Sequence, residues 1–111
     1  MCEFFSSLGR TKHTVMRHSN IYGPGDDFNP ATSHVLAGTV HKVMNAPEDG
    51  KVVVWGDGSE KRDLLDVDDF VDFVELALDK QLDGVYNGGS GEQVSVADLT
   101  KKVIYHSHRR L

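Results

Sequence analysis

From Asp66 to Lys80 the chain reads DVDDFVDFVELALDK, and Phe70, Val71, Phe73, Val74, Ala77 and Leu78 cover more than one side of a helix. A helix with that much apolar surface needs packing partners on two sides, which restricts the chain to layered architectures. Asp68 or Asp69 stands where an N-cap is needed, and acid at the start with Lys80 at the end suits the helix dipole.

Short apolar runs alternate with this helix and its neighbours. Met1, Phe4, Phe5 and Leu8 share one helical face, and Gly9 supplies a stop. No residue before Met1 caps that helix, which fits either a frayed end or a segment continuing from a longer chain. Thr14-Val15-Met16 reads as a buried strand leading into the loop Asn20-Ile21-Tyr22-Gly23-Pro24-Gly25. Between Ser33 and Met44, Val35, Leu36, Thr39, Val40 and Val43 recur at helical spacing. Pro47 to Gly50 breaks the chain, Lys51 to Trp55 reads as a strand, and Gly56-Asp57-Gly58 is a tight turn. Gly84 to Asn87 is a further strand, ending in Gly88-Gly89-Ser90-Gly91. Ser95 with Asp98 forms a capping box for a last helix whose Val96, Leu99 and Val103 face inward. The order predicts one α/β unit with mostly parallel pairing.

Charge narrows the function classes. Twelve Lys and Arg stand against 17 Asp and Glu, a net charge of −5, which argues against a nucleic-acid binder. Gly56 to Asp83 holds ten carboxylates against Lys61, Arg62 and Lys80, while the tail from Lys101 carries four cations and no acid. At 39% hydrophobic content the chain has enough apolar residues for a packed fold. No apolar run approaches the roughly 18 residues that cross a bilayer, and the single cysteine, Cys2, can form no internal disulfide. No membrane role and a reducing, cytoplasmic compartment are the expectation.

Several constellations carry chemistry. Gly88-Gly89-Ser90-Gly91 sits between a strand and a helix, where a phosphate cradle would lie, but it lacks dinucleotide and Walker spacing and reads as a structural turn. His34 and His41 are seven residues apart, unlike the i, i+4 pairs that chelate, and Asp66, Asp68 and Asp69 serve a helix start equally well, so no metal site is expected. Lys61-Arg62 follows a rigid turn in an acidic neighbourhood; it can grip a diphosphate, or Arg62 can simply pair with Asp63. His34, at the start of its helix, offers an imidazole for proton transfer or a structural histidine.

Taken together these segments resemble one family. Arg17-His18-Ser19-Asn20-Ile21-Tyr22-Gly23-Pro24 resembles the R-x-x-N-x-Y-G-P segment of extended short-chain dehydrogenase/reductases, the NAD(P)-dependent nucleotide-sugar epimerases and dehydratases. Arg62 to Asp69 is similar to their R-[DE]-F-[IL]-x-V-x-D-[DA] segment, and Asn87 to Gly91 to their N-x-G-[ST]-G turn. Gly23-Pro24-Gly25-Asp26-Asp27-Phe28, Ser33-His34-Val35 and Val53-Val54-Trp55-Gly56-Asp57-Gly58, with Arg62 seven residues after Trp55, resemble the GDP-L-fucose synthase branch. The resemblance runs over about residues 1 to 104.

The resemblance implies a partial Rossmann-like fold spanning residues 1–111 as a single C-terminal unit that lacks the cofactor-binding half. It implies that His34 contacts the nicotinamide and acts as acid, that Ser19, Asn20 and Ile21 border the cofactor NAD(P), and that Lys42, Trp55 and Arg62 bind the nucleotide-sugar, a GDP-sugar. The family often has Arg at Lys42, His at Gly25 and Asn at Asp27. Its Gly-rich loop, catalytic Ser and Tyr-x-x-x-Lys have no counterpart in this sequence. The first helix stands where Tyr-x-x-x-Lys would end, so the chain is expected to start just after that Lys, and His106 to Leu111 matches no family segment. By itself the chain is expected neither to hold NAD(P) tightly nor to turn over, and its open edges favour a homo-oligomer. The alternative is an autonomous, non-catalytic module that binds a nucleoside diphosphate or a protein.

Overall fold

Two small sheets meet at a single residue. In the computed structural model, which describes residues 1–111, β1 (Thr14–His18) and β2 (Asn20–Tyr22) are separated only by Ser19 yet belong to different sheets. β1 pairs in parallel with β4 (Gly84–Gly88), in register from Thr14 opposite Gly84 to His18 opposite Gly88. β2 pairs in parallel with β3 (Lys61–Asp66), and β3 pairs antiparallel with β5 (Gln93–Ser95). Around them lie α1 (Cys2–Ser7), α2 (Val35–Asn45), α3 (Val67–Asp79) and α4 (Val96–Ser107). The expected α/β class with mostly parallel pairing is what forms, β3–β5 being the antiparallel exception.

Several expectations need correction. Lys51 to Trp55 is not a strand: it runs beside α2 with no pairing partner, and Val53 O accepts instead from the Lys42 ammonium at 3.3 Å. Apolar, β-branched residues favour extended backbone, but a strand exists only where another offers its N–H and C=O groups. The strand is Lys61–Asp66, a charged stretch that pairs on both edges. The N-cap of α3 is Asp66 rather than Asp68 or Asp69, because its carboxylate reaches the Asp68 N–H at 2.8 Å. The α2 helix starts at Val35 with His34 as its N-cap residue, and no side chain caps it. At α4 the capping box forms as read, Ser95 Oγ accepting from the Asp98 N–H at 3.1 Å and donating to its carboxylate at 2.8 Å.

The core is small. Eight of 111 residues are buried, and its centre is the α2–α4 contact, where Val43 (0% exposed) meets a face carrying Leu99. Thr39 and Thr100 are buried there too, each hydroxyl donating to the carbonyl four residues back at 2.6 and 2.8 Å, so neither is left unpaired. Arg109 ties the C-terminal tail onto α2 by donating to the carbonyls of Met44 and Ala46, and the Asp49 N–H donates to Arg110 O at 2.9 Å. Such a side chain satisfies carbonyls that a helix end leaves free. The molecule extends 61 × 25 × 24 Å with a radius of gyration of 18.1 Å, against about 13 Å for a compact chain this long. Phe4 and Phe5 on α1, with Val71, Leu76 and Leu78 on α3, are exposed.

Asp63 holds the two sheets together. Its half-buried carboxylate accepts from Ser19 Oγ at 2.8 Å, from Ser90 N–H and Oγ at 2.9 and 3.1 Å, and from Gly91 N–H at 3.0 Å. Its carbonyl accepts from Asn20 Nδ2 at 3.2 Å. Donation by Ser90 N–H, then by the Ser19 hydroxyl, lowers the Asp63 pKa below the ordinary carboxylate value. A lowered folded pKa means that the ionised form stabilises the fold above the unfolded value and that this stabilisation is lost as pH falls through the folded value. Thermal melts of Asp63→Asn should therefore show a lower Tm than wild type at pH 7 and a smaller further loss below about pH 4. Equal Tm values at pH 7 would contradict this assignment.

Candidate functional site

The α2 helix presents His34, Gly38 and Lys42 at intervals of four residues, which places them along one side. Opposite runs the extended Val52–Trp55 segment, and Arg62 on β3 and the first turn of α4 close the remaining walls. These elements border a half-open cavity of about 270 Å³. A Cβ on Gly38 would stand 3.0 Å from Ser33 Oγ, so a larger residue there would press on that hydroxyl.

His34, Lys42, Trp55 and Arg62, which come from separate stretches of sequence, all line this cavity. The Lys42 ammonium lies 5.0 Å from the centroid of the Trp55 ring, a cation–π arrangement, while Trp55 as a residue is 82% exposed. Arg62 does not pair with Asp63. Its Nη2 contacts Glu60 Oε2 at 2.7 Å, and its Nη1 donates to Lys61 O at 3.0 Å. Alternate residues of an extended segment point the same way, so Glu60 and Arg62 share a face while Asp63 turns to the other. The Gly56–Gly58 turn is docked on α4, with Gly58 O and Glu60 O accepting from the Ala97 and Val96 N–H groups at 3.0 and 2.9 Å.

Ser19, Asn20 and Ile21 lie elsewhere. The first two bond to Asp63, Ile21 pairs opposite Leu65, and none lines the cavity. The Gly88–Gly91 segment is a structural turn, as read: the N–H groups of Ser90 and Gly91 both point at the Asp63 carboxylate, which takes the place an external anion would need. That turn therefore holds no free phosphate cradle. No group of three or more His, Cys, Asp or Glu side chains is arranged to hold a metal.

Two residues that matter here were not singled out from the sequence. Glu60 reads as one acid in an acidic run, and Asp63 reads only as a salt-bridge partner for Arg62, not as the acceptor of the Ser90 turn; the two-residue spacing of Glu60 and Arg62 on an extended segment is the available signal for the first.

Comparison with known proteins bears on this arrangement. The model of the NAD dependent epimerase/dehydratase family matches residues 1–89. GDP-L-fucose synthase 1 of Arabidopsis thaliana is 42% identical over 78% of this chain and 28% of its own length. The GDP-L-fucose synthase of Escherichia coli is 32% identical over 93% of this chain and 36% of its own length. The chain therefore spans about a third of these relatives. UDP-glucose 4-epimerase of Thermotoga maritima, solved with UDP-glucose, superposes with a TM-score of 0.74 at 31% identity, covering 96% of this chain and 33% of that one. The Bordetella bronchiseptica enzyme WbmF, solved with NAD+, shares the fold with a TM-score of 0.83 at 23% identity, over 99% of this chain and 37% of its own. The motifs read from the sequence and the fold in which they sit have the same origin, and the chain belongs to the NAD dependent epimerase/dehydratase family.

Proposed function

We propose that residues 1–111 form one partial domain, the nucleotide-sugar-binding part of an NAD(P)-dependent epimerase/reductase resembling GDP-L-fucose synthase, and that a GDP-sugar is its ligand. The observation that carries this reading is the convergence of His34, Lys42, Trp55 and Arg62 on one cavity. A cavity of about 270 Å³ has room for part of a nucleotide-sugar, with the rest of the ligand extending over the open side. Arg62 and Lys42 neutralise the pyrophosphate, the guanidinium giving two parallel N–H donors and the ammonium a point charge. The exposed Trp55 ring packs on the ligand, and the His34 imidazole delivers a proton at the sugar. NAD(P), when bound in an intact member of the family, supplies hydride exchange; Ser19, Asn20, Ile21 and His34 border it.

The same reading makes this chain by itself a binder without turnover, since neither the Gly-rich loop nor the Tyr-x-x-x-Lys pair is in its sequence. Relatives of about three times its length support it, and so do the apolar faces left uncovered on α1 and α3. Calorimetric titration with a GDP-sugar tests the site: Arg62→Ala should weaken binding about fivefold or more, the loss of one charge-assisted contact. Equal affinity of the two proteins would remove Arg62 from the site.

Self-association is the second consequence. Leu78 (73% exposed) and its apolar neighbours on α3, together with the unpaired outer edge of β1, invite contact with another copy. Light scattering at high protein concentration should report a dimer or larger species, and a monodisperse monomer would refute this.

A further inference from the structure

The cavity that brings two cations together also contains a carboxylate. Glu60 Oε2 lies 2.7 Å from Arg62 Nη2 and lines the same cavity as Lys42 and Trp55. Its backbone is fixed, because Glu60 O accepts from the Val96 N–H at the start of α4. Its side chain is 63% exposed, against 40% for Arg62. Asp63, the next acid along the strand, faces the Ser90 turn and is fully engaged there, so Glu60 alone meets Arg62.

Resting on the diphosphate reading above, we propose that Glu60 is an internal competitor for the ligand phosphates, occupying the donor edge of Arg62 that a phosphate would take and so setting how tightly the site holds its ligand. An exposed carboxylate–guanidinium pair is weak, so a diphosphate, with more charge and more acceptor oxygens, displaces it. The displaced carboxylate stays tethered at residue 60, within a few ångströms of the phosphates, where like-charge repulsion opposes binding. Affinity is therefore held below what Lys42 and Arg62 alone would give, and the penalty grows with the charge of the ligand. A nucleoside without phosphate neither competes with Glu60 nor feels it.

The test is calorimetric titration of the 111-residue protein and its Glu60→Gln variant with GDP, GMP and guanosine at low salt. Gln keeps the size and removes the charge. Glu60→Gln should bind GDP about three- to fivefold tighter than wild type, the scale of an exposed ion pair, with a smaller gain for GMP and none for guanosine. Raising the salt should shrink the GDP gain, as screening requires. Unchanged or weaker GDP binding by Glu60→Gln would overturn the proposal, the weaker case showing that Glu60 orients Arg62 for the phosphate. An equal gain for guanosine would overturn it too, since the effect would then be steric. Absence of GDP binding by both proteins would instead refute the diphosphate reading of the cavity and this inference with it.

Discussion

One carboxylate joins the two halves of this molecule. The chain passes between its sheets at Ser19; α3 reaches the β1–β4 sheet through Phe70 on His18 and Phe73 on Tyr86, but the junction itself needs a tie of its own. Asp63 on β3 supplies the tie by accepting from Ser19 before β2 and from Ser90 and Gly91 after β4. Gly89 belongs to the same arrangement: a Cβ there would stand 2.8 Å from Asp63 Oδ2, an oxygen that hydrogen bonding keeps from moving away. The position of Arg62 follows from this anchoring. With Asp63 committed to one face of the strand, pleating sends its neighbour to the other, into the cavity.

The same molecule neutralises its anion-attracting groups in two different ways. In the Ser90 turn the partner is a carboxylate held by four donors, part of the fold and costly to remove. In the cavity the partner of Arg62 is an exposed glutamate making one contact, easily exchanged. The contrast separates the turn from the cavity by how firmly each internal anion is held. The Lys42 ammonium is likewise engaged with Val53 O and the Trp55 face, contacts that leave it on the cavity wall.

Little of the apolar surface is used. The α2–α4 contact is the best-packed part, and it carries one wall of the cavity. Arg109 fastens the tail across the end of α2, which secures the helix that holds His34 and Lys42. The α3 helix was expected to need partners on two sides; it has the sheet on one, and Leu78 and its neighbours remain exposed on the other. Such a molecule depends on hydrogen-bonded ties such as Asp63 more than a compact domain would, because hydrophobic burial contributes less.

Local physics was readable in the residues. Apolar periodicity marked α2, α3 and α4, because helix hydrogen bonds and facing are set within a few residues. The Ser95–Asp98 box and the Gly88–Gly91 turn were readable for the same reason, whereas His34, Lys42, Trp55 and Arg62 were singled out by resemblance to a family. Pairing was not readable. Val52-Val53-Val54 has the side chains of a strand and Lys61–Asp66 does not, yet only the latter has neighbours to bond with. The cap of α3 shifted to Asp66 because the true start of the helix depended on where β3 ended. The partner of Arg62 was decided by which face of the backbone each acid occupies, and the convergence of four distant residues on one cavity by how α2, β3 and α4 pack. The sequence determined which segments coil and which side chains can carry charge; only the tertiary structure decided which of them meet, because pairing and ion contacts join residues far apart in the chain.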